Sequence, residues 1–232
     1  MFPLKDTVPS RSFPLVNWLL IGTNVFVFLT LAGDPFQAAP WVSLLALVPR
    51  RLLLHWNNPY EYLTLITSLF MHGGWAHLIS NLLALYIFGD NVEDRMGSMP
   101  YLFFYLTCGV VASLVHVAFN ATSAVPTVGA SGAISGVLAA YLLLYPTARV
   151  ITFIPLFFLP WLVEIPAVFY LGIWFVSQLS NGLLATVTGV QTLGGVAWWA
   201  HVGGFVAGLF LTPGLSLRRY APRRYPDEYY PW

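Results

Sequence analysis

Ser131 lies in Val128-Gly129-Ala130-Ser131-Gly132-Ala133-Ile134, a lone hydroxyl between glycines where an apolar helix is expected to begin. A serine is a poor nucleophile at its free pKa and needs a base within about 2.6 to 3.2 Å. His201, in Ala200-His201-Val202-Gly203-Gly204, is the candidate base. Acyl transfer also needs donors for a developing oxyanion, and losing one such donor typically costs about 2.7 to 4 kcal/mol. His77 and Asn81, spaced i and i+4 and so on one helical face, can supply two. The Ser131 backbone N–H, close to a helix start and without an intrahelical acceptor, can supply a third. No Asp or Glu falls where it would hold His201, so the chemistry would be that of a Ser/His dyad.

The elements that must position these residues belong to a membrane protein. Hydrophobic residues make up 58% of the 232 and charged residues 8%, far from the roughly 25% charge of soluble domains. Mean hydropathy is +0.72. Runs of about 20 mostly apolar residues occur near 15–33, 74–89, 99–119, 129–146, 164–185 and 195–214. The expected fold is therefore an all-α membrane protein, a six-transmembrane-helix bundle with a long amphipathic first outer loop. Residues 1–14 are expected as a cytoplasmic tail, 15–214 as the six-helix membrane domain and 215–232 as a second cytoplasmic tail. The first span is long and lacks a convincing small-residue cleavage site, so it is read as retained rather than as a signal peptide.

Basic residues accumulate in cytoplasmic loops. With the N-terminus inside, the inner side holds Lys5, Arg11, Arg95, Arg149, Arg218, Arg219, Arg223 and Arg224, and the outer side only Arg50 and Arg51, eight against two. The net charge of +1 thus conceals an asymmetry. No basic stripe with interleaved aromatics suggests nucleic-acid binding. Cys108 is the one cysteine, which excludes an intramolecular disulfide or a cysteine-rich metal site. No internal repeat supports an inverted-repeat transporter.

With that orientation spans two, four and six enter from the outer side, with His77, Asn81, Ser131 and His201 all early in them. At 1.5 Å per residue all four fall within roughly 10 Å of the outer face. Ionisable groups at such depth usually face an interior or a watery cavity. A bland reading of Ser131 is helix packing, since Gly, Ala and Ser serve close approach in membranes. Gly132, Gly136 and Ala140 form one small stripe, and Ala200, Gly204 and Gly208 another. Matching stripes would also bring serine and imidazole together, so packing and chemistry reinforce each other. The bland reading of His77 and Asn81 is an interhelical hydrogen bond.

His72 sits at the loop edge, where it could cap the second helix or bind water, and is read as structural. His55 and His116 have no partner identifiable from sequence. Metal ligation is disfavoured, because no carboxylate shares this depth and no His-x-x-Glu-His pairing occurs. No cofactor is expected. Residues 34–73 carry Trp41, Leu44, Leu45, Leu47, Leu52, Leu53, Leu54 and Trp56 around Arg50 and Arg51. This loop either lies in the outer leaflet interface or packs over the bundle.

In motif and order the chain resembles the rhomboid intramembrane serine proteases over nearly its whole length. The resemblance rests on Met71-His72-Gly73-Gly74-Trp75 with His77-x-x-x-Asn81, on Gly129-Ala130-Ser131-Gly132, and on Ala200-His201-x-x-Gly204-x-x-x-Gly208. It implies Ser131 as nucleophile, His201 as general base and acid, and an oxyanion site at His77, Asn81 and the Ser131 N–H. It implies transmembrane proteins as substrates and the lipid bilayer as the partner medium. It also implies a gate in the fifth span and the following loop, involving residues such as Trp174, Phe175 and Gln191. Some relatives carry tyrosine against the imidazole where this chain has Ser135, so His201 is expected to be held differently, by an aromatic such as Trp198 or Trp199, or to have a looser ring. Some show Trp-Arg in the first outer loop where this chain has Leu63-Thr64. A prokaryotic plasma membrane is the expected location. The rival readings are an inactive relative that binds transmembrane helices and a small-solute transporter with proton-relay histidines.

Overall fold

The computed structural model of the chain describes residues 2–31, 35–156, 159–189 and 196–216. Strand β1 (Phe2–Asp6) precedes helix α1 (Leu15–Leu31). The first loop then holds α2 (Pro35–Leu45), α3 (Pro49–Leu54), α4 (Pro59–Thr67) and a 3-10 turn, Ser68–Phe70. Next, α5 (Trp75–Ala84) runs through a π-helical turn, Leu85–Gly89, into α6 (Asp90–Met96), followed by α7 (Ser98–Phe119) and α8 (Ser131–Leu144). Strands β2 (Arg149–Leu156) and β3 (Leu159–Pro166) lead into α9 (Ala167–Thr188), and α10 (Trp198–Leu215) ends the described chain.

Each of the six apolar segments contains a helix, but two features differ from the sequence reading. Among the described residues, α7 and α9 are long and apolar enough to cross a membrane, while α1 and α8 are apolar but shorter. Length and apolarity therefore establish fewer spans than the six expected. The fold is also not all-α: β1, β2 and β3 form a three-stranded antiparallel sheet in that order. Its cause lies in Arg149-Val150-Ile151-Thr152-Phe153-Ile154, rich in β-branched and aromatic residues. Val150 and Thr152 are buried and alternate with more open neighbours, the period-two pattern of a strand. Glu164, expected to open the fifth span, lies in β3 opposite Ile151 and pairs with Arg149 at 3.2 Å. The fifth helix accordingly starts at Ala167.

At the same end, α1 is held by side chains from distant segments. The Glu93 carboxylate accepts from the N–H groups of Val16 and Asn17 at 3.1 and 2.7 Å. It thereby satisfies donors that a helix start leaves open. Asn17 donates to the Leu85 carbonyl at 2.9 Å, where the π turn departs from α-helical pairing. Asp6 of β1 accepts from Asn91 at 3.0 Å and from the Tyr141 hydroxyl, so part of the expected N-terminal tail is docked.

Burial pushes the Asp90 carboxyl up to about 7, against 3.8 ordinarily, and the nearby Asp6 and Asp94 push the same way. Between those values the unfolded chain has released a proton that the folded protein keeps, so stability falls as pH rises through this window. Asp90→Asn should therefore raise the thermal midpoint in detergent at about pH 8, with little effect near pH 4. A lower midpoint for the variant at the higher pH would contradict this.

The first loop packs over the bundle, one of the two readings considered for it. Leu47, Leu52, Leu65 and Val117 form a buried cluster over α7, and Leu47 exchanges backbone hydrogen bonds with Thr127. Arg51 pairs with Glu61 at 2.8 Å and donates to the carbonyls of Ala46 and Ser43. The other side leaves Leu44, Leu54, Trp56 and Tyr60 exposed.

The core lies among α7, α8 and α10, with Tyr101, Tyr105, Tyr141, Phe88 and Phe104 fully buried. A Cβ on Gly204 would lie 1.9 Å from the Gly132 carbonyl oxygen, and one on Gly208 would lie 2.4 Å from that of Gly136. The two small-residue stripes therefore meet backbone to backbone.

Candidate active site

Ser131 is the first residue of α8, and the first intrahelical bond runs from the Ile134 N–H to the Ala130 carbonyl. The Ser131 N–H therefore precedes the ladder. His201 stands one turn into α10 and is 8% exposed, so its imidazole is largely withdrawn from solvent. The backbone contact of α8 with α10 carries His201 Nε2 to 2.8 Å from Ser131 Oγ. On the imidazole's other side, Nδ1 is 2.8 Å from Oε1 of Gln178, a buried residue of α9.

Gly129 shapes the approach to the serine. Its φ of +129° lies in the left-handed region that favours glycine, and its N–H is held by the Ser68 carbonyl at 2.9 Å. A Cβ there would lie 2.6 Å from His77 Nε2 and 3.7 Å from Ser131 Oγ. The His77 ring therefore occupies the space a side chain would take, beside the serine hydroxyl. Asn81, one turn further along α5, is buried, and its Nδ2 has no hydrogen-bond partner among the described residues. An unsatisfied buried amide donor is costly unless something occupies it. The four residues singled out in the sequence thus come from α5, α8 and α10. The serine, both histidines and Gly129 share one locus, with Asn81 one turn along the face that carries His77.

Other residues depart from their sequence readings. Gly74 occupies the cap position of α5, so His72 does not cap it. His72 instead packs edge-on against His77, ring centroids 5.1 Å apart, with both its nitrogens buried and unpartnered among the described residues. Burial, helped by the neighbouring His77, lowers its pKa to about 4. His116, for which no partner was evident, meets Thr127 at 3.0 Å and Asn120 at 3.3 Å, tying α7 to the segment that leads to Ser131.

Ser135 donates to the Ser131 carbonyl at 2.6 Å, and the imidazole is flanked by the rings of Trp174 and Trp198, centroids 5.9 and 6.3 Å away. Trp198 is thus one of two rings beside the imidazole, with Trp174 the nearer. Trp199 is not, because it stacks on Phe119 and donates to Thr186. Of the residues implied for a gate, Trp174 faces the imidazole, Phe175 stacks on Phe205 at 4.3 Å, and Gln191 lies outside the described residues.

Sequence reasoning missed Gln178. The available signal was an amide in the middle of an apolar helix, which must find a polar partner inside a membrane; nothing in the apolar pattern of α9 says which side that partner lies on.

The Rhomboid domain model matches residues 59–218. Rhomboid-like protein 11, chloroplastic, of Arabidopsis thaliana is 35% identical over 173 residues, 72% of this chain and 57% of that protein. RHOMBOID-like protein 5 of the same plant is 31% identical over 219 residues, 93% of this chain and 58% of that protein. Rhomboid protease GluP of Bacillus subtilis (strain 168) is 43% identical over 82 residues, 35% of this chain and 16% of that protein. The chain spans somewhat more than half the length of the two plant relatives. Further relatives are mitochondrial by name, and such organellar relatives argue against the prokaryotic plasma membrane expected from the sequence.

Proposed function

The chain belongs to the rhomboid family of membrane proteins, and from that premise we propose that it is an intramembrane serine endopeptidase cleaving transmembrane segments near the outer membrane face. The observation that carries this reading is the 2.8 Å approach of His201 Nε2 to Ser131 Oγ at the start of α8. In the proposed reaction the Ser131 hydroxyl attacks the scissile carbonyl carbon while His201 takes its proton. The oxygen that becomes negative is met by the Ser131 N–H, His77 and Asn81. His201 then gives the proton to the leaving amine, and water, activated by the same imidazole, hydrolyses the acyl-enzyme at Ser131. The unclaimed Asn81 Nδ2 and the His77 ring beside Gly129 support the oxyanion assignment.

Six spans with both termini cytoplasmic complete the proposal, resting on the eight-to-two placement of Lys and Arg. Trp174 and Phe175, on α9, are its candidate gate residues. The test is cleavage of single-span substrates by the purified chain in detergent, with Ser131→Ala in parallel. Products cut near the outer end of the span, absent with the variant, are expected. Tight binding of the same helices without cleavage would point instead to an inactive relative.

A further inference from the structure

The proposed dyad leaves open what makes Nε2, rather than Nδ1, the unprotonated nitrogen that can accept the serine proton. A neutral imidazole carries its proton on one nitrogen only, and the partner of the other decides which. The answer lies on α9.

Gln178 Nε2 is 3.1 Å from the Trp174 carbonyl oxygen and 2.9 Å from Ser177 Oγ. The Ser177 hydroxyl in turn donates to that same carbonyl at 2.6 Å. A carbonyl oxygen can only accept, and the Ser177 hydrogen is already committed to it, so the Gln178 NH2 group must face this pair as the donor. Rotating the amide would set Oε1 against the Trp174 carbonyl with no proton between them, leaving buried groups unsatisfied at about 1 to 3 kcal/mol. Oε1 therefore points to His201 Nδ1, 2.8 Å away. Oε1 has no proton to give, so Nδ1 must be the N–H. The proton then leaves Nε2 free, aimed at Ser131 Oγ at 2.8 Å.

We propose that Gln178 is a positioning residue that fixes the Nδ1–H tautomer and ring orientation of His201, making a Ser131–His201–Gln178 relay. This rests on the protease reading. An orienting partner of this kind is what a serine–histidine pair needs from its third member, here supplied by a neutral amide rather than a carboxylate. A neutral acceptor suits the site, because an ionised carboxylate at this depth would carry a heavy desolvation cost. The relay crosses from α10 to α9, so the tautomer depends on α9 remaining docked against the imidazole.

Two measurements test it. Gln178→Met, close in shape but without the acceptor, should lower kcat by about 10- to 100-fold with KM unchanged, part of the roughly 10²–10⁴ that a positioned base supplies. In the wild-type protein, ¹⁵N-histidine NMR at about pH 8, assigned with His201→Ala, should show the His201 proton on Nδ1.

Unchanged kcat in Gln178→Met, or a proton on Nε2, would each overturn the proposal. The NMR result is read on the wild-type protein and does not depend on Gln178→Met folding. Ser131→Ala separates the two levels of the argument. If it still cleaves, the protease reading fails whatever position 178 does; if it is dead while Gln178→Met is fully active, only the role of Gln178 falls.

Discussion

Ser131→Ala is expected to reduce kcat for a transmembrane substrate by a factor on the order of 10⁶, the scale seen when a serine hydrolase loses its nucleophile. His201→Ala should lose a similar amount, because the hydroxyl 2.8 Å from Nε2 then has no base. The double variant should be hardly worse than either single one, since the two groups act on one proton. Losses that simply multiplied would mean that serine and histidine serve separate steps. Substrate binding to Ser131→Ala should persist, because the change removes one oxygen and leaves the contact of α8 with α10 intact. The readouts are product formation over long incubation and substrate affinity in the same detergent.

The second large effect concerns packing rather than chemistry. Gly204→Ala puts a methyl carbon where only 1.9 Å separates it from the Gly132 carbonyl oxygen. That oxygen belongs to helical backbone one residue after Ser131, so no flexible side chain can yield. The helices must part, and overpacking of this kind costs about 1 to 3 kcal/mol. The serine and the imidazole ride on opposite sides of the contact, and a displacement near 1 Å is worth about 10²-fold in rate. Gly204→Ala should therefore lower both the thermal midpoint and kcat. Gly22→Ala in α1, where a Cβ meets nothing within 4 Å, should leave both unchanged or slightly raise stability. A Gly204→Ala variant as stable and as active as the wild type would refute the account of how the two helices meet.

Much of the site could be read from the chain because its parts obey local rules. Stripes of small residues at i and i+4 identify helix faces that can approach closely, and Gly132, Gly136, Gly204 and Gly208 do meet. His77 and Asn81 share a face by the same spacing. What escaped the sequence lies where hydropathy carries no direction. Residues 149–166 are apolar enough to merge with the fifth span, and only the alternation around Val150 and Thr152 marks them as strands. Gln178 and His116 were visible as polar residues in apolar helices, but a partner such as His201 or Thr127 is fixed by tertiary packing and leaves no periodic trace. The same holds for Glu93, whose carboxylate caps α1 across 76 and 77 residues of chain.

The most direct test of the central claim is chemical labelling of the folded wild-type protein with a fluorophosphonate, followed by intact-mass measurement and peptide mapping. A single adduct on Ser131 is expected, lost in His201→Ala although the serine is still present. Folded protein that forms no adduct, or that reacts elsewhere with Ser131 unmodified, would contradict Ser131 as an activated nucleophile.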